Sequence, residues 1–74
     1  MKTDAETLHK LIGRRIQTLR EKRGLSQLEL ASEVDLSKTH LGRIERAESN
    51  ITIKSLNKIA NYFDLHITYF FETE

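Results

Sequence analysis

"LSQLELASEVDLSKTHLGRIE", residues 25–45, decides how the rest of the chain is read. Ser26 stands three residues before Glu29, and Leu25 and Leu30 flank the pair. That is the pattern of a capping box with a hydrophobic staple. Leu30, Ala31 and Val34 continue as an apolar stripe at helical spacing. The rhythm stalls at Asp35, Leu36 and Ser37. Asp tolerates the left-handed backbone better than most residues. Ser37 can then cap a new helix, with Leu36 and Leu41 as its staple. Two short helices joined by a tight turn are expected.

The second of these helices divides into two sides. Each residue turns it by about 100°. Counted round from Lys38, that rotation brings Gly42, Arg46, Thr39 and Arg43 into one half of the helix surface. Leu41 and Ile44 fall in the opposite half, and His40 lies on the flank. The apolar pair should hold the helix to a core while a polar, basic side faces out. Such a side suits a DNA major groove, which is about 12 Å wide and admits one α-helix. Lys and Arg can donate to guanine, and Thr can meet a base edge with its hydroxyl or methyl. Gly42 costs roughly 1 kcal/mol of helix propensity. It is expected where the helix comes closest to its target.

The flanking segments supply the core. Leu8, Ile12, Ile16 and Leu19 recur at three- and four-residue steps, which predicts an amphipathic helix. Thr3 and Glu6 can form a capping box at its start, and Gly24 after Lys22 and Arg23 marks its end. A fourth helix is expected from Thr52, with Ile53, Leu56, Ile59, Ala60 and Phe63 inward. "LHITYFF", residues 65–71, fits either a strand or a helix. A lone strand would lack a partner, so a short helix is preferred. The expected fold is all-α: one compact domain over residues 1–74 with about five short helices.

Composition narrows the function classes. The net charge is only +1, but it is unevenly distributed. Residues 1–25 carry seven Lys or Arg against three acids, and residues 36–58 carry five against two. Residues 26–35 and 59–74 carry three acids each and no base. A near-neutral total can thus hold a basic and an acidic face. A chain of 74 residues buries only about 60% of its unfolded surface. It has no Cys for a disulfide or thiolate metal site, which leaves oligomerisation as the common staple. The opening "MKTDAETLHKLIG" does not read as a signal peptide. No apolar run approaches the roughly 20 residues of a membrane span, so a cytoplasmic location is expected.

The spacing from Gln27 to Arg46 resembles the helix-turn-helix of the Cro/cI-like (XRE) transcriptional regulators. "LSQLELA" is similar to that family's second helix and "LSKTHLGRIE" to its recognition helix. "RIERAESNITIKSL" most resembles the small dimeric controllers of restriction–modification systems. The helix-turn-helix spans about residues 27–46. Three features depart from the family pattern. Asp35 stands where the turn commonly has Gly, and Ile51 where Pro often precedes helix four. His66 and Tyr69 replace the Ser and Glu of the last helix's capping box.

The resemblance implies a sequence-specific regulator of double-stranded DNA, acting as a homodimer on a two-fold operator. It further suggests autoregulation and control of a restriction gene, with RNA polymerase as a further partner. The alternative is an antitoxin of the same fold whose main partner is a toxin. Lys38, Thr39, His40 and Arg43 match base-contacting positions. Gln27, Ser37, Arg46, Ser49 and Asn50 match backbone-contacting ones. Arg20 and Glu45 match an internal ion pair. The dimerisation region falls at about residues 63–74, with Ile67, Tyr69 and Phe71 at the interface and Phe70 in the core. No metal site is expected from His9, His40 and His66, which lack ligand spacing. No cofactor, membrane or small-molecule ligand is implied, and no nucleophile turn or phosphate loop points to an enzyme.

Overall fold

The computed structural model describes residues 4–72. Its elements are α1 (Ala5–Lys22), α2 (Gln27–Glu33), α3 (Lys38–Glu45), α4 (Ile53–Tyr62) and a 3-10 helix (Ile67–Phe71). The expected fifth helix is therefore a short 3-10 helix. Five residues are too few for a free-standing α-helix, and 3-10 geometry suits such short pieces.

Each α-helix starts on a side-chain cap. Asp4 caps α1 by accepting from the Thr7 amide at 2.7 Å. The capping box expected from Thr3 and Glu6 is thus replaced by Asp4, and Thr3 lies outside the described residues. Glu6 instead pairs with Lys10 one turn on, at 3.3 Å. Ser26 and Glu29 form the reciprocal box on α2, at 3.1 and 2.8 Å. Ser37 and Thr52 cap α3 and α4. The 3-10 helix lacks a Ser–Glu box, but the ring Nδ1 of His66 accepts from the Thr68 amide at 3.2 Å.

The helices stop where the backbone turns left-handed. Gly24 has φ 72°, Asp35 64° and Asp64 59°. Ala47 has φ 60° without any side chain to favour it, a conformation that costs roughly 1–2 kcal/mol.

Ile12 and Ile16 of α1 meet Leu30, Ala31 and Val34 of the α2 segment in one buried cluster. Leu41 and Ile44 enter it from α3, and Leu56, Ile59, Ala60 and Phe63 from the α4 segment. Phe70 is fully buried and locks the 3-10 helix onto this core. Ile53 departs from expectation: it is 67% exposed. It lies on the α4 stripe, but at the first helical position that stripe overhangs the core. Ile51, before the cap, packs against the core instead. Among the described residues no helix is long and apolar enough to cross a membrane.

Candidate nucleic-acid interface

α3 is fixed from behind. Leu41 and Ile44 are buried, and Glu45 at its last turn is 8% exposed. Arg20 of α1 grips Glu45 in a fork, with Nε to Oε2 at 2.7 Å and Nη2 to Oε1 at 3.1 Å. The third Arg20 nitrogen, Nη1, donates to the Leu25 carbonyl at 2.8 Å. Gln27 of α2 donates from Nε2 to Glu45 Oε1 at 3.0 Å. One carboxylate therefore joins three helices. The hydrogen bond to Glu45 raises the Arg20 pKa, which burial opposes. Among the described residues no buried side-chain polar atom lacks a partner.

The α1–α3 contact also depends on Gly13. A Cβ there would lie 2.5 Å from the Ile44 carbonyl oxygen and 2.7 Å from that of Glu45. The α3 backbone sits directly on α1. The sequence offers a partial signal: a glycine inside a helix costs about 1 kcal/mol of propensity, which points to a packing or functional reason without saying which.

Lys38, Thr39 and Arg43 are exposed on the outer side of α3. None of their side chains holds a hydrogen bond or ion pair among the described residues. Lys38 and Thr39 share a shallow hollow of about 260 Å³ with Gln27, Gly42 and Arg46. The sequence suggests that Gly42 opens space for a target, but it is buried beneath the protein's own side chains. A Cβ there would meet Arg46 Nη1 at 3.1 Å and the Gln27 amide at 3.4–3.5 Å. Its absent side chain makes room for those two groups.

The remaining site residues have local partners. His40 is half-buried, with Nε2 3.3 Å from the Asn50 carbonyl oxygen. Ser37 accepts from the His40 amide at 3.0 Å and keeps its own hydroxyl proton to donate. Arg46 pairs with Glu48 at 3.2 Å, and the Ser49 hydroxyl donates to the Asn50 carbonyl at 3.4 Å. Ile67, Tyr69 and Phe71 lie apart from this group, on the 3-10 helix that packs against α1 and α4. Phe71 is 39% exposed, while Ile67 and Tyr69 are half-buried. The Arg15 guanidinium stacks 5.2 Å from the Tyr69 ring centre and donates to the Tyr69 carbonyl.

Two short helices crossing over one buried carboxylate, with the second presenting a free polar side, make a helix-turn-helix. A helix-turn-helix family profile (HTH_3) matches residues 16–70. The chain belongs to this family. An uncharacterised HTH-type transcriptional regulator of Rickettsia conorii is 36% identical over 67 residues, which cover 90% of this chain and 54% of that protein. The chain thus spans about half that regulator's length. The restriction–modification controller C.AhdI of Aeromonas hydrophila has a similar structure, with a TM-score of 0.78 at 29% identity. That match covers 84% of this chain and 94% of C.AhdI. SinR of Bacillus subtilis, a master regulator for biofilm formation solved in complex with DNA, superposes with a TM-score of 0.74 at 32% identity. The match covers 82% of this chain and 98% of the SinR chain in that complex.

Proposed function

We propose that this HTH_3 protein is a sequence-specific, double-stranded-DNA-binding transcriptional regulator that acts as a homodimer. The observation that carries the reading is the two-sided α3. Leu41, Ile44 and Glu45 anchor one side, while Lys38, Thr39 and Arg43 stand free on the other. A rigid helix with unengaged donors matches the width and donor–acceptor pattern of a major groove. The likeness to SinR in its DNA complex supports the same choice of ligand.

In this reading Lys38, Thr39 and Arg43 meet base edges. Gln27, Ser37, Arg46, Ser49 and Asn50 contact phosphates, which position the protein without directly reading sequence. His40, beside the Asn50 carbonyl, holds the segment after α3 against the helix and touches the DNA at its edge. Two copies would place their α3 helices in successive major grooves about 34–36 Å apart on a two-fold operator. The likeness to C.AhdI supports a controller of a restriction–modification system, and action at its own promoter is part of the same proposal.

Selection of bound sites from random duplex DNA at fixed salt tests this directly. The expected product is a two-fold consensus with half-sites one helical turn apart. Recovery of sequences without any consensus would overturn the reading.

A further inference from the structure

The proposed dimer leaves open which surface of one copy meets the other. α1 carries a stripe that the DNA reading does not use. Leu11, Arg14, Thr18 and Lys22 fall within a narrow sector of the helix, and with Arg15 and Tyr69 they line a groove of about 480 Å³. Its floor is apolar, formed by the half-buried Leu11 and the Tyr69 ring. Its rim is basic. Arg14, Arg15 and Lys22 have no carboxylate within ion-pair distance among the described residues.

The 3-10 helix bordering the groove ends in a segment of opposite character. Phe71 is 39% exposed, and the exposed Glu72 comes next in extended backbone, with φ −73° and ψ 130°. An apolar ring followed by a carboxylate matches an apolar floor with a cationic rim. Glu72 makes no ion pair with its own α1 among the described residues.

We infer that the α1 groove receives the Phe71–Glu72 segment of a second copy of this chain, an inference that rests on the dimeric reading above. Phe71 of one copy covers Leu11 and Tyr69 of the other, and Glu72 meets Arg14 and Lys22. A two-fold axis makes the contact reciprocal, so each dimer holds it twice. Tyr69, held by Arg15, belongs to the receiving wall rather than to the inserted segment.

The test is a charge exchange, read by sedimentation of the full chain at micromolar concentration. Wild type is expected to dimerise, and more weakly as salt screens the contact. Arg14→Glu and Glu72→Lys should each weaken dimerisation by about tenfold or more, because like charges then face each other. An equimolar mixture of the two variants should recover it, because both contacts of the mixed dimer become oppositely charged pairs. Circular dichroism checks that each variant is folded, and Arg14→Gln supplies a milder change should Arg14→Glu fail to fold. A dimeric wild type with variants that dimerise equally well, or a mixture that fails to recover, overturns the groove assignment and leaves the dimer standing. A monomeric wild type overturns the dimer and the groove together.

Discussion

Gln27 and Glu45, eighteen positions apart, share a hydrogen bond of 3.0 Å, and the Glu45 oxygen that accepts it also takes a nitrogen of Arg20. The side chain proposed to sit on a phosphate is thus braced by the carboxylate that fixes α3. One of its two Nε2 protons goes to Glu45, which leaves the other to donate to a phosphate, and its Oε1 lies toward Gly42.

Gln27→Ala should accordingly do two things at once. It removes a hydrogen bond to a charged group, at a cost of about 1.5–3 kcal/mol of stability. It should also weaken DNA binding alike on all sequences, because a phosphate contact carries no base information. Urea melts and titrations against a full set of single-base operator changes measure both. A change in base preference would contradict the assignment.

Arg20 and Glu45 are expected to be among the most sensitive positions in the fold. Removing either leaves the other charge buried without its partner, at a cost of about 3–5 kcal/mol. Total stability in proteins is only about 5–15 kcal/mol, so either change should bring so small a domain close to unfolding. Melts of Arg20→Ala, Glu45→Ala and the double variant check this, and single losses under about 0.5 kcal/mol, as in an exposed pair, would refute it.

The two helix-interior glycines should respond in opposite directions. Alanine is better than glycine in a helix by roughly 1 kcal/mol. At Gly13 the added methyl would meet backbone carbonyl oxygens, so α1 and α3 must separate. Overpacking of this kind costs about 1–3 kcal/mol and should exceed the gain. At Gly42 the neighbours are the ends of flexible side chains, Arg46 and Gln27. Gly42→Ala should therefore be neutral or stabilising by up to about 1 kcal/mol, yet weaken DNA binding by displacing those two groups. Thermal melts of both variants separate the cases.

Base readout should localise to α3. Lys38→Ala, Thr39→Ala and Arg43→Ala should each relax preference at one position per half-site, at about 1–3 kcal/mol apiece. Arg46→Ala should instead lower the salt slope of binding by about one and leave the consensus intact. If none of the three α3 changes alters the preferred bases, α3 is not the reading element.

Acid should loosen two of the helix starts. The Asp4 carboxyl is held below its usual range mainly by the Thr7 backbone amide, and that of Glu29 by the Ser26 backbone amide. A lowered folded pKa means stability that is complete above the ordinary carboxylate range and is lost as pH falls through the lower folded value. Asp4→Asn with Glu29→Gln should flatten the acid limb of stability below the ordinary carboxylate range, by urea melts at stepped pH.

The helix-turn-helix is readable in the sequence because its signals are local. Ser26 with Glu29, Ser37 after Asp35, and the Leu41–Ile44 pair each sit within a few residues of what they specify. The features that are not readable depend on contacts between distant segments. Nothing beside Gly13 or Gly42 in sequence says whether the missing side chain makes room for a backbone, for Gln27 and Arg46, or for a ligand. Ile53 has the right spacing for the core, but the edge of the core is set by neighbours on other elements. Asp4 takes the place of Thr3 as the cap because both are competent and the difference is a shift of one residue. Ala47 carries no turn signal at all. Its positive φ is imposed by the turn that closes α3, in which the Glu48 amide donates to the Arg43 carbonyl at 2.8 Å.

The two-sidedness of α3 bears on how such a protein can change its target. Lys38, Thr39 and Arg43 touch nothing that the fold needs, so each can be exchanged singly while the helix keeps its seat. New operator preferences are then reachable in small steps, each intermediate still folded. Gly13, Arg20 and Glu45 form the opposite kind of set: any one of them changed alone leaves a clash or a stranded charge. The protein is thus free to drift where it is proposed to read DNA and locked where it holds that helix still.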